Sequence, residues 1–233
     1  MNLFSDEKKR KLNKEFDTKP SVNHYRNYLF SRKYIKNKKI LDVGCWTGQF
    51  EKFAIKDAKE IVGIDPGAEA VNYAKQKFPT VKFMAGTLDT IPFTKNSFDT
   101  VTLFDVIEHL PVNTEVRTLK KIYSVLKPNG YLIITTPNNH FLSILLDPAF
   151  FLLGHRHYSQ SALRDILNKS NFKIEKSFSY GNLATLLDGI MDLVEKYILH
   201  KRTHLRSLIQ NKSSESKDSG FASVCVIAKK SIL

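Results

Sequence analysis

The stretch from Lys39 to Asp65, KILDVGCWTGQFEKFAIKDAKEIVGID, constrains the fold more than any other part of the chain. An apolar run at Ile40 to Val43 passes into a glycine-bearing turn, Gly44-Cys45-Trp46-Thr47-Gly48. A pattern with Phe50, Phe53 and Ala54 spaced for one helix face follows. A second apolar run, Ile61 to Ile64, ends in Asp65, 21 residues beyond Gly44. Strand, turn, helix and strand make a βαβ unit. In such a unit glycines let a ligand approach the backbone, and a carboxylate at the tip of the second strand accepts hydrogen bonds from both ribose hydroxyls. The unit therefore predicts an adenosine-containing cofactor. No G-x-x-x-x-G-K-[ST] is present, which excludes a P-loop, and the spacing is not the G-x-G-x-x-G of a pyrophosphate cradle.

Alternation continues downstream. Helix-spaced Ala70, Val71, Ala74 and Phe78 lead to a strand at Val81 to Ala85, and a further strand ends near Phe104. Asn113 is the expected cap of a helix burying Val116, Leu119, Ile122, Tyr123 and Leu126, which Pro128-Asn129-Gly130 ends with a turn. Strands alternating with helices from Lys39 to Thr136 specify a parallel sheet covered on both faces, with ligands bound beyond the carboxyl ends of the strands. Gly44, Asp65, Thr87 and Phe104 are thereby expected around one crevice.

The ordered series ILDVGCWTG, GTLDTIPF (86 to 93), NSFDTVTLF (96 to 104), DVIEHLP (105 to 111) and LKPNGYLIITTPN (126 to 138) resembles the class I S-adenosylmethionine-dependent methyltransferases, in the branch with quinone-biosynthetic and glycan- or lipid-modifying enzymes. The resemblance covers residues 39 to 138. It implies a Rossmann-like seven-stranded α/β sheet, mostly parallel with one antiparallel strand, and S-adenosyl-L-methionine as cofactor. It carries a cofactor-binding role to Asp42, Gly44, Cys45, Gly48, Asp65, Pro66, Thr87, Leu88 and Phe104. Trp46 stands where similar sequences have glycine, so its side chain must point away from the cofactor or cover it. Thr87, the backbone at Leu88 or Asp89 replaces the acidic residue that often meets the adenine amino group.

Methyl transfer from a sulfonium is an in-line displacement that needs alignment, and a hydroxyl or amine acceptor also needs a base for which histidine is suited. His109, after Glu108, and His157, in the segment His155-Arg156-His157-Tyr158-Ser159, are the catalytic candidates. His109 has the alternative of a structural hydrogen-bonding role, and similar sequences carry a comparable His/Tyr element at the acceptor pocket. Asp105-Val106-Ile107-Glu108-His109 resembles an acidic-x-x-Glu-His element that holds a divalent metal in some relatives. The first acid here is Asp rather than Glu, and no metal is assigned.

A basic helical segment at 1–38 is expected to cap the active site, followed by a methyltransferase domain at 39–233 with acceptor-side segments at 138–170 and 181–210. Leu12 and Phe16 suit a weak helix or mobile arm. A second helix is expected after an N-cap at Ser21, with rows at Tyr25 and Leu29 and at Tyr28 and Ile35, from which His24 or Tyr25 is a candidate contact for cofactor or acceptor. Ser159 caps a helix through Leu163, Ile166 and Leu167, a strand covers Phe172 to Tyr180, and an apolar helix from Leu183 to Ile198 runs into Lys201, Arg202 and Arg206. A polar loop, 212–220, leads to a final strand at 220–229, which the resemblance makes antiparallel.

A net charge of +13 fits a polyanionic partner, an anionic membrane, an acidic substrate or a solvated surface. NNHFLSILLDPAFFLLG, 138–154, is apolar but broken by Asp147-Pro148. It suits a buried lid, an interfacial segment or the seat of a lipid tail, and no run is long enough to span a bilayer. Two cysteines make no disulfide framework, and with a polar N-terminus this points to the cytoplasm, with peripheral membrane contact as an added expectation. The expected acceptor is a small molecule, a glycan or a lipid precursor. RNA methylation, or a cofactor-binding module without turnover, is the alternative; [ND]-P-P-[YF] and an aromatic-interleaved basic strip are both missing.

Overall fold

The computed structural model describes residues 22–147, 150–151, 154–199 and 220–231. The expected arm with Leu12 and Phe16, the Ser21 cap, Pro148, the basic residues at 201–206 and the loop at 212–219 lie outside the described residues. The elements are α1 (Val22–Ile35), β1 (Lys39–Val43), α2 (Glu51–Ala54), β2 (Glu60–Asp65), α3 (Ala68–Lys77), β3 (Lys82–Ala85), β4 (Phe98–Phe104), a 3-10 turn (Ile107–His109), α4 (Glu115–Val125), β5 (Leu126–Pro137), α5 (Phe141–Leu145), α6 (Gln160–Lys169), β6 (Phe172–Tyr180), α7 (Leu183–Val194) with a π turn at Glu195–Leu199, and β7 (Ser223–Lys230).

The seven strands form one sheet in the order β3-β2-β1-β4-β5-β7-β6. All neighbours pair in parallel except β7, which runs antiparallel to both β5 and β6. The fold is the Rossmann-like α/β sheet that the sequence implies. β1 is central and covered on both faces, which is why it reads as a continuous apolar run rather than an alternating one. Ile40 packs toward Tyr28, Ala54 and Val71, whereas Leu41 packs toward Leu119, Ile122 and Leu163. Thus α1, α2 and α3 cover one face and α4 and α6 the other. The sheet order reverses direction at β1, opening the ligand crevice between β1 and β4 at their carboxyl ends.

Two local expectations change. Asn113 does not cap α4: it sits in the left-handed region at φ 66°, and Thr114 precedes the helix with no side-chain cap. An asparagine tolerates that conformation, so the residue serves the turn instead. Within α1, Tyr28 and Ile35 are buried as expected, but Tyr25 and Leu29 are exposed. The buried face of α1 carries Arg26, Asn27 and Ser31 alongside Tyr28, Tyr34 and Ile35. In α7, Thr185 and Asp188 are buried while Leu183 and Leu187 are exposed. Arg26 of α1 interacts electrostatically with Asp188, and its guanidinium lies over the Tyr180 ring, 5.4 Å from the centroid. Phe30 packs edge-on against Phe178 and Tyr180. Polar groups on both helices therefore meet each other across the end of the sheet, and the aliphatic residues of α7 are left outside. Ser159 does cap α6, its hydroxyl accepting from the Ala162 amide at 3.1 Å.

Candidate functional site

The turn after β1 is held by the strand beside it: the amides of Gly44 and Cys45 both donate to the Ile64 carbonyl, at 2.8 and 3.1 Å. Gly44 (φ 85°), Trp46 (φ 47°) and Gly48 (φ 79°) all take left-handed backbone, which costs a side-chain-bearing residue about 1–2 kcal/mol. A Cβ on Gly44 would lie 2.2 Å from a Val106 methyl, and one on Gly48 would press on the rings of Phe78 and Phe83. The two glycines thus answer to backbone conformation and to packing against the protein. Gly44→Ala is expected to cost about 2–4 kcal/mol, from overpacking plus left-handed strain, and thermal melting checks it.

Trp46 adopts the conformation that glycine supplies elsewhere, and its half-exposed ring lies against Gly67 at the tip of β2. It covers this corner of the crevice rather than pointing away. There the Asp65 carboxylate accepts from the Trp46 amide at 3.1 Å and from the Gly67 amide at 2.7 Å. Pro66 lies between them in sequence. Asp65 is buried at the strand tip, at the mouth of the crevice, where the βαβ geometry calls for a ribose-binding carboxylate.

Asp42 lies deeper. It is buried in mid-strand, accepts from the Thr102 hydroxyl, and interacts electrostatically with the wholly buried Glu51, a residue that the sequence reading missed and whose carboxyl oxygens have no hydrogen-bond partner among the described residues. Burial pushes Asp42 up to about 6 and Glu51 well above the ordinary carboxylate range. Glu51 reaches this position because Gly63 has no side chain: a Cβ there would lie 2.9 Å from Glu51 Oε1. Cys45 is buried beside the pair, its thiol pushed up by burial and by Glu51.

After β3, the Thr87 hydroxyl accepts from the Asp89 amide at 3.2 Å and Leu88 packs against the core. The Asp89 carboxylate is drawn toward α4, with Arg117 at 2.8 Å and Lys121 as a second partner. Of the three candidates for the adenine edge, Asp89 is thus the one tied elsewhere. Phe104 ends β4 with its ring edge-on to Phe50, 4.9 Å between centroids.

Past β4 the chain turns at Asp105, whose φ of 53° an aspartate tolerates. Its carboxylate accepts from Thr135 at 3.3 Å and from the side chain of Asn27 on α1. Among the described residues the side-chain amide oxygen of Asn27 is a buried acceptor without a hydrogen-bond partner. A buried orphan acceptor beside an acid at the carboxyl end of β4 suits a ligand bearing an ammonium group, and Asp65 suits a ribose. The residues present fit S-adenosylmethionine. Asn27 is not legible in the sequence because the apolar rows of its helix point to a different inner face.

Glu108 is buried and accepts from Thr136 at 3.0 Å, while the His109 ring turns out toward His155, 4.4 Å between centroids. Burial and the neighbouring His155 and Arg156 lower the His109 pKa, which keeps it neutral at pH 7. His157 has both ring nitrogens engaged, Nδ1 with the Asn138 carbonyl at 3.0 Å and Nε2 with Asp147 at 2.9 Å. Arg156 ties the segment to the 3-10 turn through Glu115 and the carbonyls of Ile107, Glu108 and Leu110. Among the described residues no group of three or more His, Cys, Asp or Glu is arranged to hold a metal ion. Nor is any helix long and apolar enough to cross a membrane. Phe141, Leu145, Phe151, Leu183 and Leu187 are exposed. They belong to segments that leave the same end of the sheet, since Pro137 and Tyr180 both register with Ser223.

Comparison with known proteins agrees with this geometry. Residues 41–134 match the family model described as a methyltransferase domain, a span that begins in β1 and ends in β5. A protein of Mycolicibacterium smegmatis described as a probable S-adenosylmethionine-dependent methyltransferase is 26% identical over 149 residues, 64% of this chain and 57% of that protein. The ubiquinone biosynthesis O-methyltransferase of Coxiella burnetii is 26% identical over 122 residues, 51% of each chain. The chain therefore spans little more than half the length of these relatives. The fold is shared with an S-adenosylmethionine-dependent methyltransferase structure from Mesorhizobium loti, with a TM-score of 0.61, 14% identity, and coverage of 92% of this chain and 99% of that one. From the glycine turn through the fifth strand, the chain is thus similar to a methyltransferase domain, and the relatives it matches include proteins described as S-adenosylmethionine-dependent methyltransferases.

Proposed function

We propose that the chain transfers a methyl group to a small-molecule, glycan or lipid-precursor acceptor. The observation that carries the reading is the buried Asp65 at the tip of β2, joined by hydrogen bonds to the turn of the matched methyltransferase domain. Asp65 would hold the ribose and Asn27 the amino-acid end. The cofactor supplies an activated methyl on a sulfonium, and the protein has to align it with the acceptor, a contribution worth up to ~7–11 kcal/mol in favourable cases. The exposed apolar side chains of α5, residue 151 and α7, on the acceptor side of the crevice, favour an acceptor with an apolar portion.

Calorimetric titration with S-adenosylhomocysteine, with NAD as control, tests the cofactor. Micromolar binding to the product analogue and none to NAD is the expected result. Labelled methyl transfer into lipid, glycan and RNA extracts then sorts the acceptor class. Label confined to RNA, with binding that weakens steeply as salt rises, would overturn the acceptor reading in favour of a nucleic-acid enzyme. Tight binding of S-adenosylhomocysteine with no transfer to any extract would leave a binding module.

A further inference from the structure

Beyond the ends of β4 and β5, four side chains converge, His109 from after β4 and Asp147, His155 and His157 from the segment that follows β5. Their arrangement is asymmetric. His157 has a side chain only 2% exposed, engages acceptors through both ring nitrogens, and has Phe150 edge-on at 5.4 Å. It is a fixed post that holds Asp147, and neither of its nitrogens is free to take a proton from an acceptor. His155 is more open, with 18% of its side chain exposed, and its Nδ1 lies 3.6 Å from the same Asp147 oxygen. Among the described residues its Nε2 has no hydrogen-bond partner.

We propose that His155, oriented by Asp147, is the general base that accepts the proton of the methyl acceptor, a role that rests on the methyl-transfer reading above. A carboxylate facing Nδ1 selects the tautomer with the proton there and leaves the Nε2 lone pair for the substrate, the logic of an Asp–His pair in acid–base catalysis. At 3.6 Å the contact is an ion-pair distance, about half an ångström longer than a hydrogen bond, and such contacts tighten when substrate closes the site. The acceptor O–H or N–H bond breaks as its proton passes to Nε2. The acceptor lone pair forms the new bond to the methyl carbon, the C–S electron pair stays with the departing sulfur, and the imidazolium faces Asp147. The other charged or titratable groups around His155 are His109, in ring contact with it, Asp105, which interacts with it electrostatically, and Arg156, its neighbour in the chain. His157 is then a positioning residue, and His109 a neighbour of the base.

Long-range proton–nitrogen NMR of the full-length protein reads the histidine tautomers directly. The expected result is His155 protonated at Nδ1 when neutral, with the preference lost in Asp147→Asn. Diethyl pyrocarbonate, mapped by mass spectrometry, is expected to modify His155 at Nε2 at least about tenfold faster than His157. His155→Gln is expected to bind S-adenosylhomocysteine within about twofold of the parent. In whichever extract takes label, it should lose at least ~100-fold in transfer rate together with the acid limb of the pH profile. A neutral His155 carrying its proton on Nε2, or a His155 that resists modification while His109 reacts, would overturn the assignment even if Asp147→Asn does not fold. Failure of the parent protein to bind S-adenosylhomocysteine would instead sink the methyltransferase reading, which keeps the two outcomes distinct.

Discussion

Asp65→Ala is expected to weaken S-adenosylhomocysteine binding by at least ~100-fold. A buried carboxylate that accepts hydrogen bonds from both ribose hydroxyls contributes about 1.5–3 kcal/mol through each, and 1.4 kcal/mol is a factor of ten in affinity. The same oxygens already accept from the amides of Trp46 and Gly67, so the substitution also leaves two backbone donors at the turn without their acceptor. That second loss costs stability as well as affinity. Melting and calorimetry on the same sample separate them: the loss in binding must exceed what partial unfolding accounts for. Asp65→Asn should fall between, since its amide oxygen still accepts at the turn but carries no charge. Affinity unchanged in a folded Asp65→Ala would place the ribose elsewhere in the crevice, and the half-exposed Trp46 ring would become the better candidate for its contact.

The framework was legible because each central element repeats one physical signal. β1 is apolar without alternation because helices cover both its faces, and the turn is glycine-bearing because left-handed backbone and close packing leave little choice. Asp65 could be placed from its spacing alone. What escaped the sequence was polar and buried. Asn27 and Arg26 occupy the inner face of α1, where apolar residues were expected, because the face meets the acid of β4 and the acids of α7 rather than an aliphatic layer. Glu51 gave no signal because a carboxylate at the start of a helix ordinarily reads as a favourable exposed charge. Its burial depends on Gly63 and Asp42, neither of which is near it in sequence. His155 was present in the motif that named His157, but only Asp147, joined through space, distinguishes the two rings.

Glu51→Gln is expected to flatten the fall of stability with rising pH and to raise the melting temperature at pH 8, by about 2–4 °C for each kcal/mol of buried charge relieved. Asp42 and Glu51 are both buried and interact electrostatically, so the folded protein favours the protonated carboxyls and resists losing those protons. Both groups have folded-state pKa values raised above those of the unfolded chain, where a carboxyl titrates near 4. Between that value and the raised one the folded state binds more protons, and stability therefore falls as pH rises. For Asp42, raised from 3.8 to about 6, the loss runs across that interval. For Glu51 it extends higher still. Glutamine keeps the shape while removing the charge. The comparison must be a difference between the two melting curves against pH. His24, lowered by burial to about 4, and Asp57, lowered chiefly by its hydrogen bond from Tyr28, bend both curves the opposite way and cancel in the difference. The difference should be small near pH 4 and widen steadily toward pH 8, with S-adenosylhomocysteine affinity unchanged because Glu51 lies beneath the turn. Parallel curves would show that burial does not hold Glu51 protonated and that water satisfies its carboxyl.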